Sequence, residues 1–186
     1  MYPRPSEQEL VRTLSFQNTT SFLIGRHPYE RLVSGYRNIF QGANNYFASI
    51  SKDILVKYRK LEPISYIHGK TIPTFTEFLR YIVDESRAQH HLNEHWAPVY
   101  SFCNPCQVNI THIIKFETFD RDTKMILDTV DLTQYLPASG KMKQNVSPGN
   151  TTYFLETYVN DLPLDLLQDL REVYKIDFDI LGYPVR

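Results

Sequence analysis

The fold of this chain is decided by the stretch Ser21-Phe-Leu-Ile-Gly-Arg-His-Pro-Tyr-Glu-Arg-Leu-Val-Ser-Gly-Tyr-Arg-Asn-Ile-Phe40. It opens with an apolar run of strand length that Gly25 stops. Pro28 suits the first position of a helix, where its missing N–H costs nothing. Apolar residues then recur at helical spacing and predict one buried face. They are Leu32, Val33, Tyr36, Ile39 and Phe40. The stretch therefore predicts a buried strand, a tight turn and an amphipathic helix.

An anion-binding site is predicted at this strand-to-helix turn. Ligands of open α/β sheets bind beyond the carboxyl ends of strands. The N-terminus of the following helix should offer free N–H groups and a positive dipole end. Arg26, at the strand tip, can direct two N–H donors at a phosphate, and Ser34 can add a hydroxyl donor. Spacing alone leaves a second interpretation open, in which Arg26 is a surface arginine and Ser34 an ordinary helix residue.

The motif Arg-x-Pro-x-Glu-Arg-Leu-Val-Ser-x-Tyr-Arg-Asn, which begins at Arg26, resembles the 3′-phosphate-binding motif of the Golgi carbohydrate sulfotransferases. The similarity is greatest to the group that contains the HNK-1 and chondroitin/dermatan 4-O-sulfotransferases. Later blocks resemble the same family. They are Asn93-Glu-His-Trp-Ala-Pro-Val-Tyr100 with Cys103-Asn-Pro-Cys106 and Lys115-Phe-Glu-Thr118, and Val173-Tyr-Lys-Ile-Asp-Phe-Asp-Ile-Leu-Gly-Tyr183. Blocks that occur in order along the chain are far more specific than any one of them alone.

The resemblance implies a fold and an activity. The fold is α/β and P-loop-kinase-like, with a parallel sheet flanked by helices, and residues 1–186 would form a single, partial domain. The enzymes transfer sulfate from 3′-phosphoadenosine 5′-phosphosulfate to a hydroxyl of a glycan or proteoglycan, with no metal. Arg26 and Ser34 would hold the 3′-phosphate of this donor. A non-catalytic glycan- or nucleotide-binding relative is an alternative. A P-loop kinase is disfavoured, because the sequence contains no G-x-x-x-x-G-K-[ST].

One departure from the family pattern lies upstream of Arg26. The family carries a loop of the kind Pro-Lys-x-Gly-x-Thr-x-Trp-Lys that cradles the 5′-phosphosulfate. Only 25 residues precede Arg26, and none of them makes such a loop. We therefore expect an N-terminally incomplete domain with little or no transferase activity by itself. Family members are type II membrane proteins of the Golgi lumen, so their N-terminal anchor would also lie upstream.

Further candidate residues are less specific. His95 is a candidate general base, because histidine has a pKa near neutrality. Alternatively, His95 and Trp96 pack a loop against the sheet. His90 and His91 lack a carboxylate or cysteine at a recognisable metal-ligand spacing. The lysines of a late polar loop are candidates for closing over the donor nucleotide, although a loop lysine pair is more often solvated surface. These are Lys141 and Lys143.

Composition and short motifs favour the secretory route. The net charge of −1 and the pI of about 6.6 do not support nucleic-acid binding. No apolar stretch approaches the roughly 20 residues that cross a bilayer. Four N-x-Ser/Thr sequons predict glycosylation, at Asn18, Asn109, Asn145 and Asn150. A local disulfide between Cys103 and Cys106 is the preferred interpretation of the only two cysteines, with free thiols as the alternative.

Periodicity also places the remaining elements. A helix followed by a loop is expected within residues 42–72. Thr74 and Glu77 form a capping-box pattern that opens a helix. A second parallel strand is predicted over residues 112–116, a helix over 119–130, and a final helix from about Leu164 to Tyr174. Glu117, after the second strand, is either an active-site carboxylate or a helix N-terminal charge, and the latter is preferred.

Overall fold

The computed structural model describes residues 6–16, 19–42, 47–60, 71–103, 105–135 and 156–184. Helices outnumber strands in these ranges. The helices are α1 (Glu7–Leu14), α2 (Pro28–Tyr36), α3 (Ala48–Arg59), α4 (Phe75–Arg87), α5 (Val99–Cys103), α6 (Phe119–Thr129) and α7 (Leu164–Leu181). The strands are β1 (Phe22–Gly25) and β2 (His112–Lys115). The π-helical turn Arg37–Gln41 continues α2, and the 3-10 turn Phe116–Thr118 joins β2 to α6.

The two strands pair in parallel and in register from Phe22 opposite His112 to Gly25 opposite Lys115. Their carboxyl ends therefore lie side by side, and the residues that follow each strand meet at one edge. The prediction of a second parallel strand is confirmed. The chain needs the close approach at Gly25, because a Cβ there would lie 2.5 Å from a Leu181 methyl carbon.

Local signals in the sequence account for two of the helix starts. Pro28 occupies the start of α2 as predicted. Thr74 caps α4 through a complete capping box, in which its hydroxyl accepts the Glu77 N–H at 3.2 Å and Glu77 Oε2 accepts the Thr74 N–H at 2.7 Å. The predicted helices over 42–72 and 119–130 correspond to α3 and α6.

The main core is aromatic and lies between α2, α3, α4 and α7. The predicted buried face of the Ser21–Phe40 stretch is confirmed, since all five of its apolar residues are at most 6 % exposed. Tyr36 packs against Phe75 and Phe78 of α4. Trp96 is also buried in this cluster, with its ring centroid 5.4 Å from that of Phe78.

A smaller cluster of Leu23, Val99 and Leu181 packs the sheet against α5 and α7.

Helix α7 is longer than the sequence predicted. It continues past Tyr174 to Leu181 and ends at Gly182, which has a φ of +63°. Its buried residues continue at helical spacing after Tyr174 as Asp177, Phe178 and Leu181. The apolar spacing of Leu170 and Tyr174 thus continues to the observed end of the helix, and the carboxylate of Asp177 lies on the same buried face. That carboxylate accepts the backbone N–H groups of Val99 at 2.7 Å and Tyr100 at 2.9 Å.

The predicted α/β class is confirmed only in its coarse form, as a mixture of helices with a small parallel sheet. In the described ranges the sheet has two strands, and helices do not cover it completely. Phe22, Ile24 and Ile113 remain 53 %, 47 % and 42 % exposed. The prediction that the first strand is buried is therefore wrong for one of its faces, and only Leu23 and Gly25 are covered. The P-loop-kinase-like similarity therefore stays a prediction. Within the described ranges no helix has both the length and the apolar character needed to span a membrane.

Candidate functional site

Arg26 stands directly after β1, at the carboxyl edge of the sheet. Its Nε lies 3.6 Å from Glu30 Oε2, and the two side chains are only 16 % and 11 % exposed. Its guanidinium carbon lies 4.6 Å from the centre of the Phe116 ring, which follows β2. The guanidinium is thus held at its Nε edge and on one face. A phosphate would be bound by the terminal nitrogens, which form the fork of an arginine.

Ser34 lies on the same stripe of α2 as this ion pair. Glu30 and Ser34 are four residues apart, so they are neighbours on the helix surface, with Cβ atoms about 5–6 Å apart. The Arg26 guanidinium contacts Glu30, so it approaches the stripe of α2 on which Ser34 lies. Ser34 is partly buried. A shared phosphate site for Arg26 and Ser34 stays a prediction.

The N-terminus of α2 already meets one carboxylate. The His27 N–H donates to Glu117 Oε1 at 3.1 Å, and Pro28 has no N–H to donate. A carboxylate therefore already meets this helix end. Glu117 does act as a helix N-terminal charge, but the helix is α2 rather than the α6 that follows it in sequence.

The Glu117 carboxylate has a second partner. Its Oε2 accepts the Tyr183 O–H at 2.5 Å. Burial and the adjacent Glu117 carboxylate raise the pKa of Tyr183, so the phenol keeps its proton and remains a donor at neutral pH. Lys115 Nζ donates to the Gly182 carbonyl at 3.1 Å and lies 4.6 Å from the Tyr183 ring centre.

His95 is exposed, and its environment defines its tautomer. Asn93 Oδ1 accepts the His95 backbone N–H at 3.0 Å and lies 2.8 Å from its Nδ1. An amide oxygen only accepts, so Nδ1 carries a proton and Nε2 of the neutral ring has the lone pair. The Phe47 ring packs edge-on at 5.3 Å. Since the His95 carbonyl oxygen lies 3.6 Å from where a Gly35 Cβ would stand, this segment adjoins α2 beside Ser34.

Arg31 has a role that the sequence did not indicate. Its guanidinium donates to the Ala97 carbonyl at 2.6 Å and the Glu94 carbonyl at 2.9 Å, and so fastens the His95 segment to α2. Tyr174 holds the same segment from α7, since its O–H donates to the Trp96 carbonyl at 2.5 Å.

Trp96 is a core residue, as the packing interpretation predicted. Glu30, Phe116 and Tyr183 are the other neighbours of the site that pattern alone did not single out.

The remaining candidate residues lie apart or outside the described ranges. Cys103 and Cys106 are both exposed and are free thiols in this structure, so the predicted disulfide is not formed in it. Asn109 is exposed. Lys141, Lys143, Asn18, Asn145 and Asn150 lie outside the described residues. Over the described ranges, no group of three or more histidine, cysteine or carboxylate side chains is arranged to hold a metal ion.

Comparison with known proteins identifies the family. The model of the Sulfotransferase family matches residues 1–184. The chain belongs to the sulfotransferase family. It is 36 % identical over 171 residues to Carbohydrate sulfotransferase 14 of Mus musculus, covering 91 % of this chain and 43 % of the relative. Identity to Carbohydrate sulfotransferase 11 of Mus musculus is 31 % over 169 residues, covering 88 % and 47 %.

A third member of the family, Carbohydrate sulfotransferase 12 of Xenopus laevis, is 28 % identical over 178 residues, covering 92 % of this chain and 41 % of the relative. This sulfotransferase chain thus spans less than half the length of each of these relatives. No solved structure matches it. The resemblance drawn from the motifs is confirmed at the level of the family.

Proposed function

We propose that this chain binds the 3′-phosphate of 3′-phosphoadenosine 5′-phosphosulfate, as part of a carbohydrate O-sulfotransferase. The observation that carries the proposal is the placement of Arg26. Its guanidinium lies at the carboxyl end of β1 beside Glu30 and Phe116, and Glu30 is one helical turn from Ser34 on α2. The family match and the names of the carbohydrate sulfotransferase relatives support the assignment of this arrangement to a phosphate of the sulfate donor.

The Arg26 fork would form charge-assisted hydrogen bonds with the 3′-phosphate, and the Ser34 hydroxyl would donate another. This phosphate is remote from the sulfur, so the two residues would orient the donor rather than take part in bond making. Such orientation lowers the barrier because it holds the donor in line with the attacking hydroxyl. In the proposed reaction, a glycan hydroxyl attacks the sulfur and adenosine 3′,5′-bisphosphate leaves.

His95 is the proposed general base. Sulfate transfer requires a group that takes the proton of the attacking hydroxyl. The bond to Asn93 leaves the lone pair of the neutral ring on His95 Nε2, which is the form that a base requires. The exposure of the ring and its position beside Gly35 of α2 are compatible with an acceptor approaching this side of the helix.

The acceptor and the compartment are proposed from the relatives' names and the motifs. The acceptor would be a chondroitin/dermatan or HNK-1-type glycan on a proteoglycan or glycoprotein. The site would lie in the Golgi lumen, with membrane attachment through an N-terminal anchor of the type II form. The exposed Asn109 would carry a glycan, and in the oxidising lumen Cys103 and Cys106 would form a local disulfide.

Calorimetry with adenosine 3′,5′-bisphosphate tests the proposal on the chain as it stands. We expect saturable binding that Arg26→Ala weakens about tenfold or more, because a charge-assisted hydrogen bond contributes roughly 1.5–3 kcal/mol. Arg80→Ala, which removes an exposed arginine of α4, is the matched control and should bind like the wild type. Equal affinities for wild type, Arg26→Ala and Arg80→Ala would contradict the proposal.

A further inference from the structure

The turn that carries Arg26 is fastened to the C-terminal end of α7 through one carboxylate. Glu117 uses both of its oxygens, because Oε1 accepts the His27 N–H at 3.1 Å and Oε2 accepts the Tyr183 O–H at 2.5 Å. His27 is the residue directly after Arg26. Glu117 itself follows Phe116, whose ring lies against the Arg26 guanidinium. Two adjacent residues of the β2–α6 turn thus hold the side chain of Arg26 and the peptide N–H that follows it.

Tyr183 is itself fixed on several sides. It follows Gly182, whose φ of +63° turns the chain out of α7. The Gly182 carbonyl accepts from Lys115 Nζ at 3.1 Å, and the same ammonium lies 4.6 Å from the Tyr183 ring centre. The ring also meets the His27 ring edge-on at 5.2 Å. The phenol is therefore directed at Glu117 by contacts that do not involve its hydroxyl.

We propose that Glu117 and Tyr183 are positioning residues of the anion site. The Tyr183 O–H holds the Glu117 carboxylate on the His27 N–H, and that bond fixes the backbone from which Arg26 extends. Without the phenol hydroxyl, Glu117 Oε2 loses its donor and the carboxylate can turn towards other cations. Arg26 is a nearby one, because its guanidinium rests on the ring of the preceding residue. A carboxylate on the Arg26 fork would compete with the phosphate that the fork is proposed to bind.

The inference rests on the proposed 3′-phosphate site, so it is tested beside Arg26→Ala. Tyr183→Phe removes the hydroxyl and keeps the ring that contacts His27 and Lys115. We expect its affinity for adenosine 3′,5′-bisphosphate to fall about fivefold, as for the loss of one hydrogen bond. Binding of adenosine 5′-monophosphate, which lacks the 3′-phosphate, should change less. Tyr135→Phe, at a tyrosine that is 74 % exposed, is the matched control and should have no effect.

A second readout needs no ligand. In ¹H–¹⁵N spectra of the free chain, Tyr183→Phe should shift the His27 amide resonance and speed its hydrogen exchange, and Glu117→Gln should do the same. Tyr135→Phe should leave that resonance in place. These effects identify a positioning role, since a general loss of packing would disturb amides throughout the core.

The outcomes separate the two proposals. Affinity that depends on Arg26 but is unchanged in Tyr183→Phe, with an unshifted His27 amide, would overturn the positioning role and leave the phosphate site intact. Affinity that is unchanged in Arg26→Ala would overturn the phosphate site and this inference with it. A parallel loss in Tyr183→Phe and Glu117→Gln, with the His27 amide shifted in both, is the expected result.

Discussion

Arg26 and Glu30 form an ion pair of 3.6 Å between Nε and Oε2 inside the motif that is proposed to bind a phosphate. The pair is largely buried, so solvent screens it less than it would a surface pair. Glu30 therefore has opposing effects on an incoming anion. It orients the Arg26 guanidinium, and its negative charge repels the phosphate.

Glu30→Gln separates the two effects. The amide of glutamine keeps a polar oxygen beside Arg26 Nε, while the negative charge is gone. We expect adenosine 3′,5′-bisphosphate to bind about threefold tighter to this variant at low ionic strength, with a smaller gain at high salt. Calorimetry at two salt concentrations measures this. Weakened binding, as large as that of Arg26→Ala, would show that orientation is the only role of the carboxylate.

Ser34→Ala removes the second proposed donor to the 3′-phosphate. The affinity for adenosine 3′,5′-bisphosphate should fall about five- to tenfold, because one hydrogen bond to a charged group is lost. The affinity for adenosine 5′-monophosphate should not change, which displacement titrations can establish. Ser49→Ala, at an exposed serine of α3, serves as the control. Equal weakening for both nucleotides would contradict a specific contact with the 3′-phosphate.

Arg31→Ala should loosen the segment that carries His95. Its two hydrogen bonds to the carbonyls of Glu94 and Ala97 would be lost, and we expect the free energy of unfolding to fall by about 2 kcal/mol. Urea denaturation measures the change, and the His95 amide resonance reports whether the segment moves. Arg31→Lys should recover only part of the loss, since an ammonium lacks the guanidinium fork. An unchanged free energy of unfolding in Arg31→Ala would contradict this role.

Glu77 should make the stability of the chain depend on acid pH. Burial alone would raise its pKa, but hydrogen bonds from Arg59 and Thr74 outweigh it and the net pKa is lowered. A lowered folded-state pKa stabilises the protein above the unfolded-state pKa of about 4.3, and this contribution is lost as pH falls through the folded-state pKa. Glu77→Gln should therefore cost about 1–2 kcal/mol at neutral pH and much less near pH 3.

Denaturation at both pH values tests this dependence, with Glu172→Gln on the exposed side of α7 as the control. The Glu172→Gln curve should follow that of the wild type throughout. A cost for Glu77→Gln that stays constant or grows as the pH falls would have the wrong sign for a carboxylate with a lowered pKa.

The strand, turn and helix around Arg26 could be predicted because their signals are local. An apolar run, a proline at the helix start and apolar residues at helical spacing all lie within a single stretch. The capping box of α4 is equally local, since its partners are three residues apart. The full length of α7 is also present in the local pattern, because the helical spacing of apolar residues continues from Tyr174 to Phe178 and Leu181.

The contacts that build the site could not be predicted in this way. His27 and Glu117 are 90 residues apart, and Arg31 and Glu94 are 63 apart. Which of many carboxylates or carbonyls meets a given donor depends on the register of β1 with β2 and on how α7 packs against both. The spacing of residues along the sequence determines neither the register of the strands nor the packing of α7. The resemblance to a family identified Arg26 and Ser34, but not the side chains that hold them.

The most direct test of the account is a comparison of two nucleotides on two proteins. Affinities of adenosine 3′,5′-bisphosphate and adenosine 5′-monophosphate would be measured for the wild type and for Arg26→Ala. We expect the wild type to prefer the bisphosphate by about tenfold or more. Arg26→Ala should lose most of this preference, while its affinity for the monophosphate stays nearly unchanged. The same preference for the bisphosphate in both proteins would show that Arg26 does not bind the 3′-phosphate.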